Sequence, residues 1–460
     1  MAKSKIANKG IISPLLFILF IISLVMYFQS PLSYDFSTCV VCLVLYLIAF
    51  FLLELKVYRG QLLSFDLFFS LSFVYVNFVY PVFLYNVNAN FSLFNISFNE
   101  RYITRCACLA LVGYTAYALF RSVTCKNIIK TERKLVLKNP NWVLAIFVLA
   151  ALVSIVTYIS FLGTSYDDTQ MGSLAKLMRE FLNVIVFYII LTSFYNSRSL
   201  KEFIHKQPIY IWLLLGLLVL LQLLTGYRTD PMRYALVFVL AYSYFCKKIP
   251  AWLVVVILIV GMIAMQLVGS ERNGGNSEYQ ISDNALINMG EDLIINNRSL
   301  YVLTEHADKS GYSYGKTFMM NVFSIVPFAQ SVIPPIIGWN INDMSTGLIN
   351  TYLTYNVGDE DVIGLGTNLI GDLYYAFGLL GVIVFMGLLG ALMSKAESKM
   401  YSSFGYLLIY ALFFANAVYY PRAEYFNLLR ILTWSYVFYL FANGKKKKSI
   451  ILDSQISVGA

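Results

Sequence analysis

Ile11-Ile-Ser-Pro-Leu-Leu-Phe-Ile-Leu-Phe-Ile-Ile-Ser-Leu-Val-Met-Tyr-Phe-Gln29 runs for nineteen positions without an ionisable acid or base. At 1.5 Å per residue, a helix of that length covers about 28 Å, close to the hydrocarbon thickness of a bilayer. Lys3, Lys5 and Lys9 precede it, as in a secretory leader, but Met26-Tyr-Phe leads into Gln29-Ser-Pro31 with no small-residue cleavage site. The expectation is a retained first membrane span.

The same signal recurs outward from that run. Windows of about 20 apolar residues place further spans at 36–54, 62–84, 102–120, 142–161, 179–195, 209–225, 231–246, 250–268, 367–393, 403–420 and 424–442. The segment 231–246 is short enough to suggest an interface dipping inward. Composition agrees: 59% of residues are apolar, 13% are charged, and the mean hydropathy is +0.68. Soluble domains average near half and a quarter for the first two quantities. The reading is therefore an all-α polytopic integral membrane protein of about twelve transmembrane helices, with residues 1–460 forming one integral domain. Membrane lipid is its surrounding partner, and no nucleic acid is expected.

Lysine and arginine beside spans accumulate on the cytoplasmic side. With both termini inside, 22 of the 34 basic residues fall on cytoplasmic segments, including the terminal run Lys445–Lys448, which reads as a headgroup anchor. The other twelve differ in kind. Nine are arginines, at positions 101, 105, 179, 228, 233, 272, 298, 422 and 430, against three lysines at 176, 309 and 316; inside, the ratio is four to eighteen. A guanidinium offers a planar fork of donors suited to phosphate oxygens, whereas lysine supplies more diffuse charge. An arginine-rich outer face points to a fixed anion. Taken singly, any of these arginines is also explained by snorkelling or by pairing with Glu100, Glu180 or Asp230.

The cysteines add no cofactor. Cys39, Cys42, Cys106 and Cys108 lie within expected spans, and Cys125 and Cys246 fall on the inner side, so they read as small packing residues. The one long interruption, residues 269–366 between the ninth and tenth spans, is placed outside by the charge count. Within it, Ser282–His306 has soluble, helical character. Phe318-Met-Met-Asn-Val-Phe-Ser-Ile-Val-Pro-Phe328 is apolar but too short to span, which suggests an interfacial or re-entrant segment. Such a periplasmic layer of short helices would cap the bundle at the membrane surface, where an amphiphile is handled with its tail in lipid. Tyr312, Tyr314, Tyr352, Tyr355, Trp339 and Tyr419 are candidates to stack on sugar rings or to form an aromatic belt.

Four blocks then occur in an ordered series: Gly226-Tyr-Arg-Thr-Asp-Pro-Met-Arg-Tyr234; Gly269-Ser-Glu-Arg-Asn-Gly-Gly275; Ser310-Gly-Tyr-Ser-Tyr-Gly-Lys-Thr-Phe318 running into Ile325-Val-Pro327; and Gly364-Leu-Gly-Thr-Asn-Leu-Ile-Gly-Asp-Leu-Tyr-Tyr-Ala-Phe-Gly-Leu-Leu-Gly381. Pro421-Arg-Ala-Glu424 follows between the last two spans. In this order, over residues 210–440, the chain resembles the Wzy-type O-antigen and enterobacterial common antigen polymerases. Tyr227 and Asp230-Pro231 depart from the plainer glycine-arginine run of many members.

The resemblance implies a glycosyltransferase with GT-C-like architecture in the bacterial inner membrane, its active site facing the periplasm. It implies transfer of a growing glycan from undecaprenyl diphosphate to a lipid-linked repeat unit, with inversion at the anomeric carbon and without nucleotide sugar, cofactor or metal. A chain-length regulator and a flippase are further partners it suggests. The leaving diphosphate then calls for preorganised cations, for which Arg228, Arg272 and Arg422 are the candidates, with Arg233 in reserve. Asp230 would orient one of them or contact sugar, alongside Tyr312, Tyr314 and Tyr419. A general base must be a carboxylate or histidine within reach of the acceptor hydroxyl; Glu424, Glu271 and His306 qualify. Two alternatives stay open: a lipid-linked oligosaccharide flippase or exporter, disfavoured by the absence of a convincing internal repeat, and an O-antigen ligase, which differs only in its acceptor.

Overall fold

The computed structural model describes residues 2–58, 62–86, 98–125, 140–161, 173–257, 259–261, 290–354 and 364–443, omitting the side chains of 2–9, 173, 291 and 292. Within them the chain is helical, with no strand. The apolar runs fold where expected: α1 (Ala2–Phe28), α2 (Phe36–Val57), α3 (Phe65–Val74), α4 (Arg101–Thr124), α5 (Asn141–Ser160) and α6 (Ser173–Tyr195). A short α7 (Leu200–His205), then α8 (Ile209–Leu224), α9 (Thr229–Phe245) and the apolar α10 (Ala251–Gly261) follow. Within the long interruption lie α11 (Asn296–Ser310), α12 (Ala329–Ile336) and α13 (Thr346–Thr354), and after it come α14 (Leu369–Lys399), α15 (Phe404–Asn416) and α16 (Leu429–Asn443).

Among the described residues, six helical segments are long and apolar enough to cross a membrane: Gly10–Phe28, Phe36–Val57, Phe65–Leu84, Arg101–Thr124, Asn141–Ser160 and Leu369–Lys399. This is a multi-pass membrane protein. The described parts of the other six expected spans are also helical, but shorter or more polar, and residues 262–268 of the span expected at 250–268 lie outside the described residues. Ile209–Leu224, with 16 residues, reaches only about 24 Å.

Helix α4 is the central post. Cys106, Ala107, Cys108, Ala110, Gly113, Ala116 and Ala118 are buried along it, and small side chains let neighbouring backbones approach closely. A methyl group on Gly113 would meet Ile370 Cδ1 at 2.5 Å, and one on Gly390 of α14 would meet the Tyr117 carbonyl oxygen at 2.4 Å. Helices α1, α2, α3 and α14 surround α4, while α5, α6, α8, α9, α15 and α16 make the second half of the bundle.

Helix α3 widens into a π-helix over Tyr75–Leu84, with Pro81 inside it. Proline lacks an N–H and disturbs the ordinary ladder, so carbonyls here turn to side chains instead. Tyr34 donates to the Pro81 carbonyl at 2.8 Å and Asn297 to the Val76 carbonyl at 2.9 Å. The second contact pins the 290–354 segment onto the bundle.

Helix α14 is broken. Phe377 (φ −145°) and Gly378 (φ +66°) leave the helical region, separating a first stretch at Leu369–Ala376 from the rest. Only glycine fits at 378, because the Tyr312 ring lies 2.9 Å from where a Cβ would sit and the φ is positive. The Gly378-Leu-Leu-Gly381 run, which reads as small-residue helix packing, is therefore a break on the side of the 290–354 segment, here termed the loop end. At the opposite end lies a dry ion cluster. Arg121, counted in the sequence as an inner-surface cation, is fully buried and bonds Asp66 at 2.8 Å and Glu397 at 2.7 Å, and Tyr117 donates to Asp66 at 2.5 Å.

Candidate active site

The stretch between α15 and α16 carries Pro421-Arg-Ala-Glu424, and its shape is fixed from several directions. A 3-10 turn covers Tyr420–Arg422. The buried Tyr420 hydroxyl donates to the Tyr425 carbonyl at 2.7 Å, Tyr425 donates to the Phe385 carbonyl at 3.0 Å, and the Ser72 hydroxyl donates to the Val418 carbonyl. Few degrees of freedom remain to the side chains displayed here, which is what a preorganised site needs.

Glu424 points from this turn into a cradle of donors. Its Oε1 accepts from the Ser345 hydroxyl at 2.5 Å and lies 3.5 Å from the Gly347 N–H, and its Oε2 accepts from the Asn321 amide at 2.5 Å. The side chain is half-buried. A second carboxyl stands behind it. Asp372, fully buried in the first turn of α14, accepts from the Thr346 hydroxyl at 3.0 Å and from the Tyr425 N–H at 2.9 Å; Thr367 donates in turn to Thr346 at 3.0 Å. The two carboxyls thus grip the same pair of backbone segments, 345–347 and 424–425. The first turn of α14 is itself fixed by Asn368, whose side-chain oxygen caps the N–H groups of Ile370 and Gly371 and whose amide donates to Asn77.

Cations flank this cradle at the loop end. The Arg422 guanidinium lies over the Tyr419 ring, 5.6 Å from its centroid. In the first turns of α9, Arg233 donates to Asn416 at the end of α15 (2.8 Å) and to Asp230 (3.2 Å). Arg179 of α6 lies 3.9 Å from the other Asp230 oxygen and over the Tyr227 ring at 5.0 Å. Arg430 pairs with Glu180 at 3.1 Å and covers Trp434. Arg228 is the residue before α9 and is half-buried. Five arginines thus stand on neighbouring elements, with Asp230 and Glu180 pairing three of them among the described residues. Pairing accounts for part of the arginine set, since Asp230 serves two guanidiniums and Arg105 is committed to Asp308 at 2.8 Å. Arg298 is buried inside the loop segment.

The remaining candidates assemble elsewhere. His306 sits with its ring 5.2 Å from Tyr375 and its Nδ1 3.5 Å from the Ser310 hydroxyl. Burial lowers its pKa below the usual histidine value, against an opposing pull from Asp343. Tyr312 and Tyr314 lie on the loop packed against the α14 break. Among the described residues no hydrogen bond or ion pair joins His306 to Glu424; Asp343 acts on His306 and Ser345 on Glu424. Glu271 and Arg272 lie outside the described residues.

The cradle around Glu424 was only half visible in the sequence. Asp372, Ser345, Thr346 and Asn321 were missed, although Asp372 stands inside the quoted block Gly364–Gly381. A carboxyl four residues into an apolar span was the available signal, since ionisable groups there are costly to keep. Arg179 was one of the nine outer-face arginines but was not singled out among them, and Asn416 had no comparable mark.

In comparison with known proteins, the family model described as O-antigen polysaccharide polymerase Wzy matches residues 11–443. No curated protein and no solved structure matches.

Proposed function

Since this chain belongs to the O-antigen polysaccharide polymerase Wzy family, which polymerises lipid-linked repeat units, we propose the following reaction and assign its parts to named residues. A hydroxyl of the acceptor repeat unit attacks the anomeric carbon of the donor glycan. The bond from that carbon to the diphosphate oxygen breaks, and undecaprenyl diphosphate leaves with the bonding electron pair. Glu424 takes the hydroxyl proton. Attack opposite the leaving group inverts the anomeric configuration, and the charge growing on the diphosphate is held by arginines, without a metal.

The observation that carries this reading is the spacing at Pro421–Glu424. It puts a cation and a cradled carboxylate on one rigid turn, with Arg233 of α9 joined to the helix end before it through Asn416. A base and an anion site must both lie within a few ångströms of the reacting carbon. Arg422, Arg228 and Arg233 are assigned to the diphosphate, with Arg272 beside them on the sequence argument. Glu424 is preferred to His306 as base because it has this neighbourhood. Asp230 orients Arg233, and Tyr419 supports Arg422.

Sidedness belongs to the same reading. The basic inner segments of the sequence favour twelve crossings, both termini in the cytoplasm, and the 269–366 loop with the transfer site on the periplasmic face, in a GT-C-like arrangement. A chain-length regulator and a flippase would act beside it.

Purified protein, mixed with undecaprenyl-diphosphate-linked repeat units and no nucleotide sugar or ATP, should yield a ladder of polymer. Glu424→Gln should still bind substrate but slow transfer by about 10²- to 10⁴-fold, the usual share of a general base, and Arg422→Ala should lose the ladder with poor rescue by lysine. Transbilayer movement of the substrate without any ladder would assign the chain to flipping instead. A product made only with a lipid A core as acceptor would assign it to ligation.

A further inference from the structure

We propose that the loop Gly311–Lys316, together with Trp339, is a glycan-binding platform that holds polymer already made and thereby sets chain length. This rests on the polymerase reading but concerns a surface separate from the reacting groups.

The loop is built to hold a tyrosine out. Tyr314 has φ +49°, a left-handed conformation that side chains other than glycine, asparagine and aspartate rarely adopt, and 78% of it is exposed. Gly311 (φ +88°) and Gly315 (φ +82°) bracket it. Three positive φ values in five residues wind the chain tightly, and its contacts keep it so. Ser313 N–H donates to the Tyr375 carbonyl at 2.8 Å, Gly315 rests on the Phe377 ring, and the Tyr312 ring packs against the bare Cα of Gly378. Tyr312 is also backed edge-on by Tyr374, which Asp308 and Arg105 hold in turn. A strained backbone held in place so that one ring stands clear of the fold is the observation from which the proposal starts.

The chemistry around that ring suits a saccharide. Tyr312 and Tyr314 meet at 90° with centroids 6.4 Å apart. Lys316 lies over Trp339 at 5.7 Å and bonds Asp343 at 3.3 Å. Flat aromatic faces for C–H groups, interleaved with a charged donor and acceptor for hydroxyls, are the mixture a sugar-binding site needs. Lipid is the other occupant for exposed rings, but the exposed residues suited to it, Val326, Phe328, Val332, Ile336 and Ile337, are purely apolar, whereas Lys316 and Asp343 accompany Trp339. Position supplies the last step. Asp343 is two residues from Ser345, which donates to Glu424, so a glycan leaving the transfer site along this short segment arrives at Lys316 and Trp339.

The test uses Tyr314→Gly, which removes the ring while relieving the backbone, and Trp339→Ala. Both should make the first transfer, to the two-unit product, at the wild-type rate, yet give a ladder shifted to shorter polymer. Each should weaken binding of a lipid-free oligomer of the repeat unit about 3- to 10-fold, the scale of one lost ring contact. Tyr314→Gly should melt no lower than wild type. An unchanged ladder with unchanged oligomer binding would assign the rings to the interfacial belt and overturn the proposal, as would an equal loss of first transfer and long product, which would put the rings in the reacting site. If the wild type makes no ladder, the polymerase reading falls. Oligomer binding that Tyr314→Gly weakens to that extent would still establish the platform, and the absence of oligomer binding in the wild type would remove it.

Discussion

At the residue scale, two clusters of side chains that are costly to bury are handled differently. Around Glu424, hydrogen bonds come from Ser345, Asn321 and the Gly347 backbone, while Asp372 locks the neighbouring backbone. That arrangement leaves one carboxylate half-buried and positioned. At the opposite end of the bundle, Arg121 lies between Asp66 and Glu397 with no solvent contact. A buried pair contributes little compared with an apolar replacement, but removing one partner leaves uncompensated charge in a medium that cannot solvate it. Arg121→Met should therefore lower stability by about 3–5 kcal/mol, read as a large drop in thermal unfolding temperature in detergent. Combining it with Asp66→Asn and Glu397→Gln should recover most of that loss. A single variant as stable as wild type would show that the cluster is hydrated or neutral.

At the element scale, the broken α14 joins both regions. Its first turn supplies Asp372, its break at Phe377–Gly378 receives Tyr312, and its far end supplies Glu397. Gly378→Ala combines a positive φ with a Cβ 2.9 Å from the Tyr312 ring. The expected cost is about 1–3 kcal/mol from the backbone alone, and polymer made in membranes should fall with it. Tyr312→Ala in the same chain should restore only the steric part. Full stability and full polymer in Gly378→Ala would mean that the first stretch of α14 reorients without penalty. The break also marks the limit of what the sequence discloses. Runs such as Ile11–Gln29 announce helices because apolar length is a local property, and Arg422 with Glu424 stand out because charge beside a span is conspicuous. Gly378, by contrast, has the same neighbours as a packing glycine in the sequence, and the ring that fills its Cβ position belongs to Tyr312, 66 residues earlier in the chain. Asp372 reads as a lone acid until Thr346 and Tyr425 are seen to share it. The π-helical Tyr75–Leu84 is likewise set by contacts from Asn297 and Tyr34.

At the scale of the whole molecule, the ends of the described helices alternate. The C-terminal ends of α1 and α15 and the N-terminal ends of α4, α9 and α14 meet at the loop end through Tyr27, Asn416, Arg105, Arg233 and Tyr374. The C-terminal ends of α4 and α14 meet the start of α3 around Arg121. A chain threaded back and forth through a bilayer makes this pattern, because consecutive helices joined by short connections must reverse direction. Sidedness then follows from which end carries the lysines. Tyr314 and Lys399 are both exposed and lie toward opposite ends of the bundle. In a background with Cys125 and Cys246 replaced by serine, a membrane-impermeant maleimide should label Tyr314→Cys in intact spheroplasts and Lys399→Cys only after permeabilisation. The four other cysteines are buried and should stay silent. Labelling of both positions from the same side would break the threading of α14, and the reverse sidedness would put Glu424 and its arginines on the inner face and overturn the proposed orientation.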